Sequence, residues 1–224
     1  MMLALMRQAA GVVADALFPP RCPLCDAFVD SGGSPCADCS ASICRLKTPA
    51  HIPNIPASVL SCCVSCFAHE GRIKEALHGF KYKERLDLAG YFASELFAIS
   101  FAVGTFDAIL PVPLFPARLK ARGFNQSSML AKGLGKLAAA PVDIDSLVRI
   151  RDVPPQVGLS REERVANVRG AFSVRAGREV RVAGKNLILV DDVMTTGATL
   201  AECARGLIAA GASSVSALTV ARAL

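Results

Sequence analysis

Asn186-Leu187-Ile188-Leu189-Val190-Asp191-Asp192-Val193-Met194-Thr195-Thr196-Gly197-Ala198-Thr199-Leu200 is the stretch from which the fold can be read. Leu187 to Val190 is apolar at every position, the pattern of a strand buried on both faces in a parallel sheet. Two carboxylates follow, then three threonines and a glycine within the five residues from Thr195 to Thr199. Apolar residues recur at Leu200, Cys203, Ala204, Leu207 and Ile208, one face of a helix. Gly211 suits the end of that helix and Ser213 to Val220 reads as a further strand, so the segment is a βαβ unit. A helix start at the carboxyl end of a strand offers unpaired N–H groups, hydroxyls assist them, and glycine lets the backbone come close. Thr195, Thr196, Gly197, Ala198 and Thr199 are therefore the expected phosphate cradle, with Asp191 and Asp192 placed to accept from sugar hydroxyls. The alternative is a plain βα turn with an acidic surface pair, which does not require that density of threonine and glycine.

The rest of the composition fits a small anionic ligand. Lysine and arginine number 25 against 19 acidic residues, a net charge of +6, which by itself is no nucleic-acid footprint. The absence of tryptophan and the presence of only 2 tyrosines argue against an aromatic platform for single strands. A 52% hydrophobic, 20% charged chain of 224 residues holds one sizeable α/β core with an appendage, or at most two domains. Ala9 to Phe18 is apolar but short, is interrupted by Asp15 and runs into Pro19-Pro20, so it reads as neither a signal peptide nor a membrane span. With 9 cysteines, the expectation is a reducing cytoplasm in which paired thiols are held by metal.

Leu3 to Phe18 has the spacing of an amphipathic helix that docks on the chain's own body. Cys22-Pro23-Leu24-Cys25 and Cys36-Ala37-Asp38-Cys39 then flank a turn-rich linker. The two pairs predict a closed tetrahedral site at Cys22, Cys25, Cys36 and Cys39 for structural Zn²⁺, with a redox CxxC as the alternative. Cys44 stands apart, and the proline-rich Ala50 to Ala57 separates this module, residues 1–57, from a main domain at 58–224. Cys62, Cys63 and Cys66 lie in a β-prone run and read as small buried hydrophobes of a strand. Helices are expected over Gly71 to Phe80, Leu86 to Phe101 and Asn125 to Ala138, and strands at Phe106 to Pro113 and Leu147 to Ile150. Lys81 reads as a charge suited to a helix C-terminus. Arg118, Lys120 and Arg122 follow the strand at Pro111-Val112-Pro113 as a basic loop, which suits pyrophosphate oxygens. The polar stretch after Leu147 to Ile150 contains Gln156, Ser160, Arg161, Arg164 and Asn167. It reads as a mobile lid containing a short helix begun by the Ser160/Glu163 capping box, with an ordered surface hairpin as the alternative.

Asp191 to Thr199 resembles the phosphoribosyl-pyrophosphate (PRPP) motif of type I phosphoribosyltransferases. Together with Pro111-Val112-Pro113-Leu114, Arg122-Gly123-Phe124-Asn125-Gln126, Gln156 to Ser160, Asn167 to Phe172, the four-cysteine knuckle and Phe80-Lys81-Tyr82-Lys83, it is similar to the ComF/GntX family. That resemblance implies an α/β fold of the type I phosphoribosyltransferase class: a Rossmann-like parallel sheet flanked by helices, with a small N-terminal zinc module. Asp191 and Asp192 take the ribose hydroxyls and serve the transfer step, and Thr195 to Thr199 take the 5′-phosphate. Val112, Pro113, Arg118 and Arg122 take the pyrophosphate. The cofactors it implies are Zn²⁺, structural, and Mg²⁺, carried with PRPP. Two functions follow from it: transfer of phosphoribose to a nitrogen acceptor, or an accessory role with imported single-stranded DNA and a helicase-type partner. Longer relatives carry a second set of cysteine pairs, which this sequence has only if Cys62 to Cys66 serve.

Overall fold

The computed structural model describes residues 19–30, 32–46, 55–82, 85–153 and 161–223, with side chains from 163 onward in the last segment. The amphipathic helix expected at Leu3 to Phe18, together with Gln156 and Ser160, lies outside the described residues. In chain order the strands are β1 (Cys63–Ala68), β2 (Ala108–Pro111), β3 (Leu147–Arg149), β4 (Phe172–Val174), β5 (Asn186–Met194) and β6 (Ser214–Arg222). The helices are α1 (Ala37–Ser42), α2 (Gly71–Tyr82), α3 (Leu88–Ser100), α4 (Pro116–Arg122), α5 (Gln126–Ala138), α6 (Arg161–Val168) and α7 (Ala198–Ala209).

Strands β1, β6, β5 and β2 form a parallel sheet in that order, so the expected buried strand is one of its two central members. Residues alternate between the two faces. Ile188, Val190, Leu218 and Val220 join one buried cluster with Ile73, Phe80, Phe92, Leu130 and Leu134 from α2, α3 and α5. Leu187, Leu189, Val215 and Ala217 join another with Leu200, Cys203, Ala204 and Leu207 of α7. Each such large side chain contributes about 1.5–3 kcal/mol on burial, so these central strands anchor the domain. Gly133 shows how tightly the first layer is packed: a Cβ there would lie 2.6 Å from Ala93 Cβ on α3.

Three expectations are corrected. First, β5 continues through Met194, because β6 is long enough to pair Asp191 with Thr219 and Met194 with Arg222; the acidic pair is thus on the strand and not after it. Second, the basic stretch Arg118 to Arg122 is helix α4, with Pro116 in its first turn and Gly123 at φ +81° closing it, an asymmetry already written in the residues. Third, α2 ends at Tyr82 and not at Phe80, with Lys81 in its last turn as its charge led one to expect. Cys63 and Cys66 are buried in β1, as expected of strand residues. Asn125 caps α5, its Oδ1 accepting from Ser127 N–H at 3.0 Å. The stretch read as a lid is anchored by an ordered base: β3 and β4 pair antiparallel, and Gly170 N–H donates to Glu202 Oε1 on α7 at 2.6 Å.

Candidate functional site

The turn Thr195 to Gly197 leaves the carboxyl end of β5 and opens α7, with Gly197 at φ +77° as its N-cap. That left-handed conformation costs glycine nothing and costs a residue with a Cβ about 1 kcal/mol or more. Thr196 Oγ1 accepts from Ala198 N–H at 3.3 Å and so shapes the first turn. A cavity of about 340 Å³ stands over this turn, lined by Thr195, Gly197, Ala198 and Thr199 and by Asp191. Its other wall is cationic, made of Lys81, Arg118, Arg149 and Arg164, with His69 at one side. Arg149 and Arg164 each bury an Nε that has no partner in the structure, and burial together with the nearby Arg118 charge lowers the pKa of Arg149. An anion entering this space would meet donors that are already desolvated.

Alternation on β5 sends the two carboxylates different ways. Asp192 is buried and meets Lys81 Nζ at 2.9 Å. Burial alone would depress Lys81, but the Asp192 charge outweighs it and raises the pKa. Asp191 Oδ1 accepts from Ser127 Oγ at 2.8 Å and from the Asp192 N–H at 2.9 Å. Its low-dielectric surroundings, and then the Asp192 charge, push the Asp191 carboxyl up to about 7. The folded protein therefore holds this proton well above the pH, about 4, at which an unfolded chain releases it. Between those values the folded state binds more protons, so the group costs stability progressively as pH rises, in full above about 7. Asp191→Asn is expected to raise the melting temperature at pH 8 and to leave it unchanged at pH 4. Equal shifts at both pH values in thermal melts would sink this account.

A second cavity of about 370 Å³ adjoins the first through Lys81 and Arg118 and is lined also by Tyr82, Arg122 and Phe124. Arg122 sits over the Tyr82 ring at 5.1 Å and donates to Gln126 Oε1 at 2.7 Å, while Arg118 reaches the Val153 carbonyl. Val112 is buried and Pro113 follows it; the Val112 carbonyl accepts from Asn125 Nδ2 at 3.0 Å, fixing the turn between β2 and α4. Arg164 and Asn167 lie on α6, of which only Arg164 lines the first cavity, and α6 also carries the backbone of Arg161.

At the other end of the chain, the Sγ atoms of Cys22, Cys25, Cys36 and Cys39 all lie within 4.8 Å of one another, with Cys25 and Cys36 at 3.7 Å. Zn–S bonds of about 2.3 Å in a tetrahedron need sulfurs about 3.8 Å apart, so the set fits Zn²⁺. Burial opposes ionisation of Cys22, but N–H donors from Cys36, Cys25 and Leu24 prevail and lower it to about 6. This is the one such cluster among the described residues. Cys22, Leu24 and Cys39 pack into the same buried cluster as Phe67, Phe80 and Phe92, and Arg85 Nη2 donates to the Pro23 carbonyl at 3.2 Å.

Comparison with known proteins fits this architecture. The Double zinc ribbon domain model matches residues 13–50 and the Phosphoribosyl transferase domain model residues 129–224. Competence protein ComFC of Bacillus subtilis is 30% identical over 205 residues, which cover 90% of this chain and 77% of that protein. The chain belongs to the ComF family. DNA utilization protein YhgH of Escherichia coli K12 is 38% identical over 109 residues, 49% of this chain and 46% of that protein, so the match spans about half the length of that relative. Among solved structures, the glutamine PRPP amidotransferase of B. subtilis, complexed with ADP and GMP, is similar at 23% identity and a TM-score of 0.39. The match covers 58% of this chain and 26% of that one.

Three polar residues of this ComF-family chain that line the first cavity were not expected there from the sequence: His69, Lys81 and Arg149. His69 follows β1 directly, at the same edge of the parallel sheet as the turn after β5, but only the strand order reveals that. Lys81 was visible as one basic residue in Phe80-Lys81-Tyr82-Lys83, with nothing local to say that it faces Asp192. Arg149 ends β3, outside the parallel sheet, and lines the cavity with Ala198, Thr199 and Leu200 of α7.

Proposed function

We propose that the chain binds Mg²⁺-PRPP, or a nucleoside 5′-phosphate, over the Thr195 to Thr199 turn and transfers its phosphoribosyl group to a nitrogen nucleophile. The observation that carries this reading is the 340 Å³ cavity, where a helix start, a ribose-competent carboxylate and four basic side chains face one space. In this reading the 5′-phosphate takes the N–H groups at the start of α7. Asp191 faces the sugar, whose C1 becomes positive as the C1–O bond stretches, and Asp192 acts from behind it through its contact with Lys81. Arg118 and Arg122 meet the charge that develops on pyrophosphate. Hard oxygen donors beside the cavity, Asp191 and the threonines, suit a phosphate-borne Mg²⁺, which when bound offsets leaving-group charge. Arg164 and the α6 segment, as a lid, exclude water that would hydrolyse PRPP.

Calorimetric titration with Mg²⁺-PRPP, followed by assay of pyrophosphate release over a panel of amines and bases, tests the proposal. Gly197→Val is expected to weaken PRPP binding at least tenfold, since the Cβ is strained at this φ and its branches fill the space of the phosphate. Unchanged affinity in that variant would place the ligand elsewhere.

A second reading rests on the relatives' names, competence protein and DNA utilization protein: a role in DNA uptake in which the site binds its ligand without transfer. PRPP binding with no pyrophosphate release for any acceptor favours it.

A further inference from the structure

A third and larger cavity, about 560 Å³, opens on the outer side of α2 and is lined by His69, Lys74, Leu77, His78, Lys81 and Tyr82 among others. All three cavities share Lys81, but this one shares only His69 and Lys81 with the phosphate cavity and neither Arg118 nor Arg122. If pyrophosphate leaves toward the two arginines, the incoming atom must reach C1 from the side away from them, because bond making and bond breaking at one carbon align best on opposite sides. Among the described residues, the α2 cavity meets the phosphate cavity at His69 and Lys81 and is lined by neither arginine, so it offers such an approach. Resting on the phosphoribosyl reading, we propose that this cavity holds the acceptor, that the acceptor is a planar aromatic or heteroaromatic acid with a nucleophilic N–H, and that His69 takes the proton from that nitrogen.

The lining states the class. Lys74 supplies an ammonium at the rim, four residues before His78, so both lie on one face of α2. The His78 and Tyr82 rings stand 5.0 Å apart and offer flat surface to a ring, above an apolar floor at Leu77. Glu75, the single carboxylate among the described lining residues, is paired with Arg72 at 3.3 Å, which blunts its repulsion of an acid. A carboxylate on the ligand would therefore find the Lys74 ammonium, which a neutral ring would leave unused.

His69 stands where the two cavities join. Groups that face it from α2 and β5 are Lys74, Lys81 and Asp192, and Asp191, Arg118, Arg149 and Arg164 share the phosphate cavity with it. Burial, then the charges of Lys81 and Lys74, lower its pKa, so the ring is an unprotonated acceptor at neutral pH. In the step, the nitrogen lone pair forms the C1–N bond and the C1–O bond breaks with its electron pair leaving on pyrophosphate. The N–H proton passes to the imidazole and from there to solvent.

The experiment uses the full zinc-loaded chain with Mg²⁺-PRPP present and matched probe pairs that carry an N–H: orotate against uracil, and anthranilate against aniline. Calorimetry gives affinity and pyrophosphate release gives turnover. At least one acid is expected to bind tenfold or more tighter than its neutral parent. Lys74→Glu is expected to cancel that preference while PRPP affinity shifts by less than twofold. His69→Gln is expected to lower pyrophosphate release at least tenfold and to remove the acid limb of its pH profile. Equal binding of acids and parents, no binding of any probe by a protein that binds PRPP, or an acid preference that survives Lys74→Glu would each overturn the acceptor site and leave the PRPP site standing. No PRPP binding at all would overturn both.

Discussion

Turnover in the Asp191→Asn, Asp192→Asn double variant is expected to fall by about 10³-fold or more, against a change in PRPP affinity of less than about tenfold. Removal of one preorganised electrostatic partner of a transition state commonly costs 10²–10³ in rate. Asparagine keeps the size and part of the hydrogen bonding, so the ground-state sugar is still held, whereas the positive charge that develops at C1 loses its counter-charges. The ion pair between Asp192 and Lys81 at 2.9 Å adds a second signature. In Asp192→Asn alone, the Lys81 ammonium loses its partner beside the phosphate cavity, so anion binding is expected to hold or tighten while turnover drops. A double variant with Lys81→Met separates the two effects. If affinity for PRPP collapses in step with turnover, or if the parent supports no turnover with any acceptor, the transfer reading fails and the binding reading takes its place.

Loss of the metal is expected to produce the largest change in stability. Elemental analysis should find one Zn²⁺ per chain, and Cys36→Ser with Cys39→Ser should abolish it. Structural zinc sites contribute about 10–16 kcal/mol of apparent binding energy in isolated fingers, comparable to the entire stability of an ordinary domain at about 5–15 kcal/mol. Cys22, Leu24 and Cys39 are packed against Phe67, Phe80 and Phe92, so the loss reaches the main core. A loss of about 3–5 kcal/mol transmitted there corresponds to about 6–20 °C in melting temperature for a chain of this size. The Arg45 guanidinium meets Glu95 of α3 twice, at 2.5 and 2.9 Å, and carries the disturbance to α3. A stoichiometry near two, or full metal retention in the double serine variant, would make Cys62, Cys63 and Cys66 a ligand set and contradict their burial in and beside β1.

What the sequence determined by itself was whatever depends on neighbours within a few residues. The unbroken apolar run Leu187 to Val190, the helical spacing from Leu200, and the threonine and glycine density of Thr195 to Thr199 announce strand, helix and turn without long-range information. The duplicated CxxC spacing did the same for the metal cluster, since each pair can reach one ion and the linker is made of turn formers. The extent of β5 was not legible, because its last residues are strand only through pairing with the full length of β6. Nor was the character of the cavity: Lys81, His69 and Arg149 come from three different elements, and only the tertiary fold brings them to one space. The altered ionisation of Asp191 belongs to the tertiary structure for the same reason. An aspartate is ordinary in sequence, and it becomes a group titrating near 7 only when the packed sheet removes its water and sets Asp192 beside it.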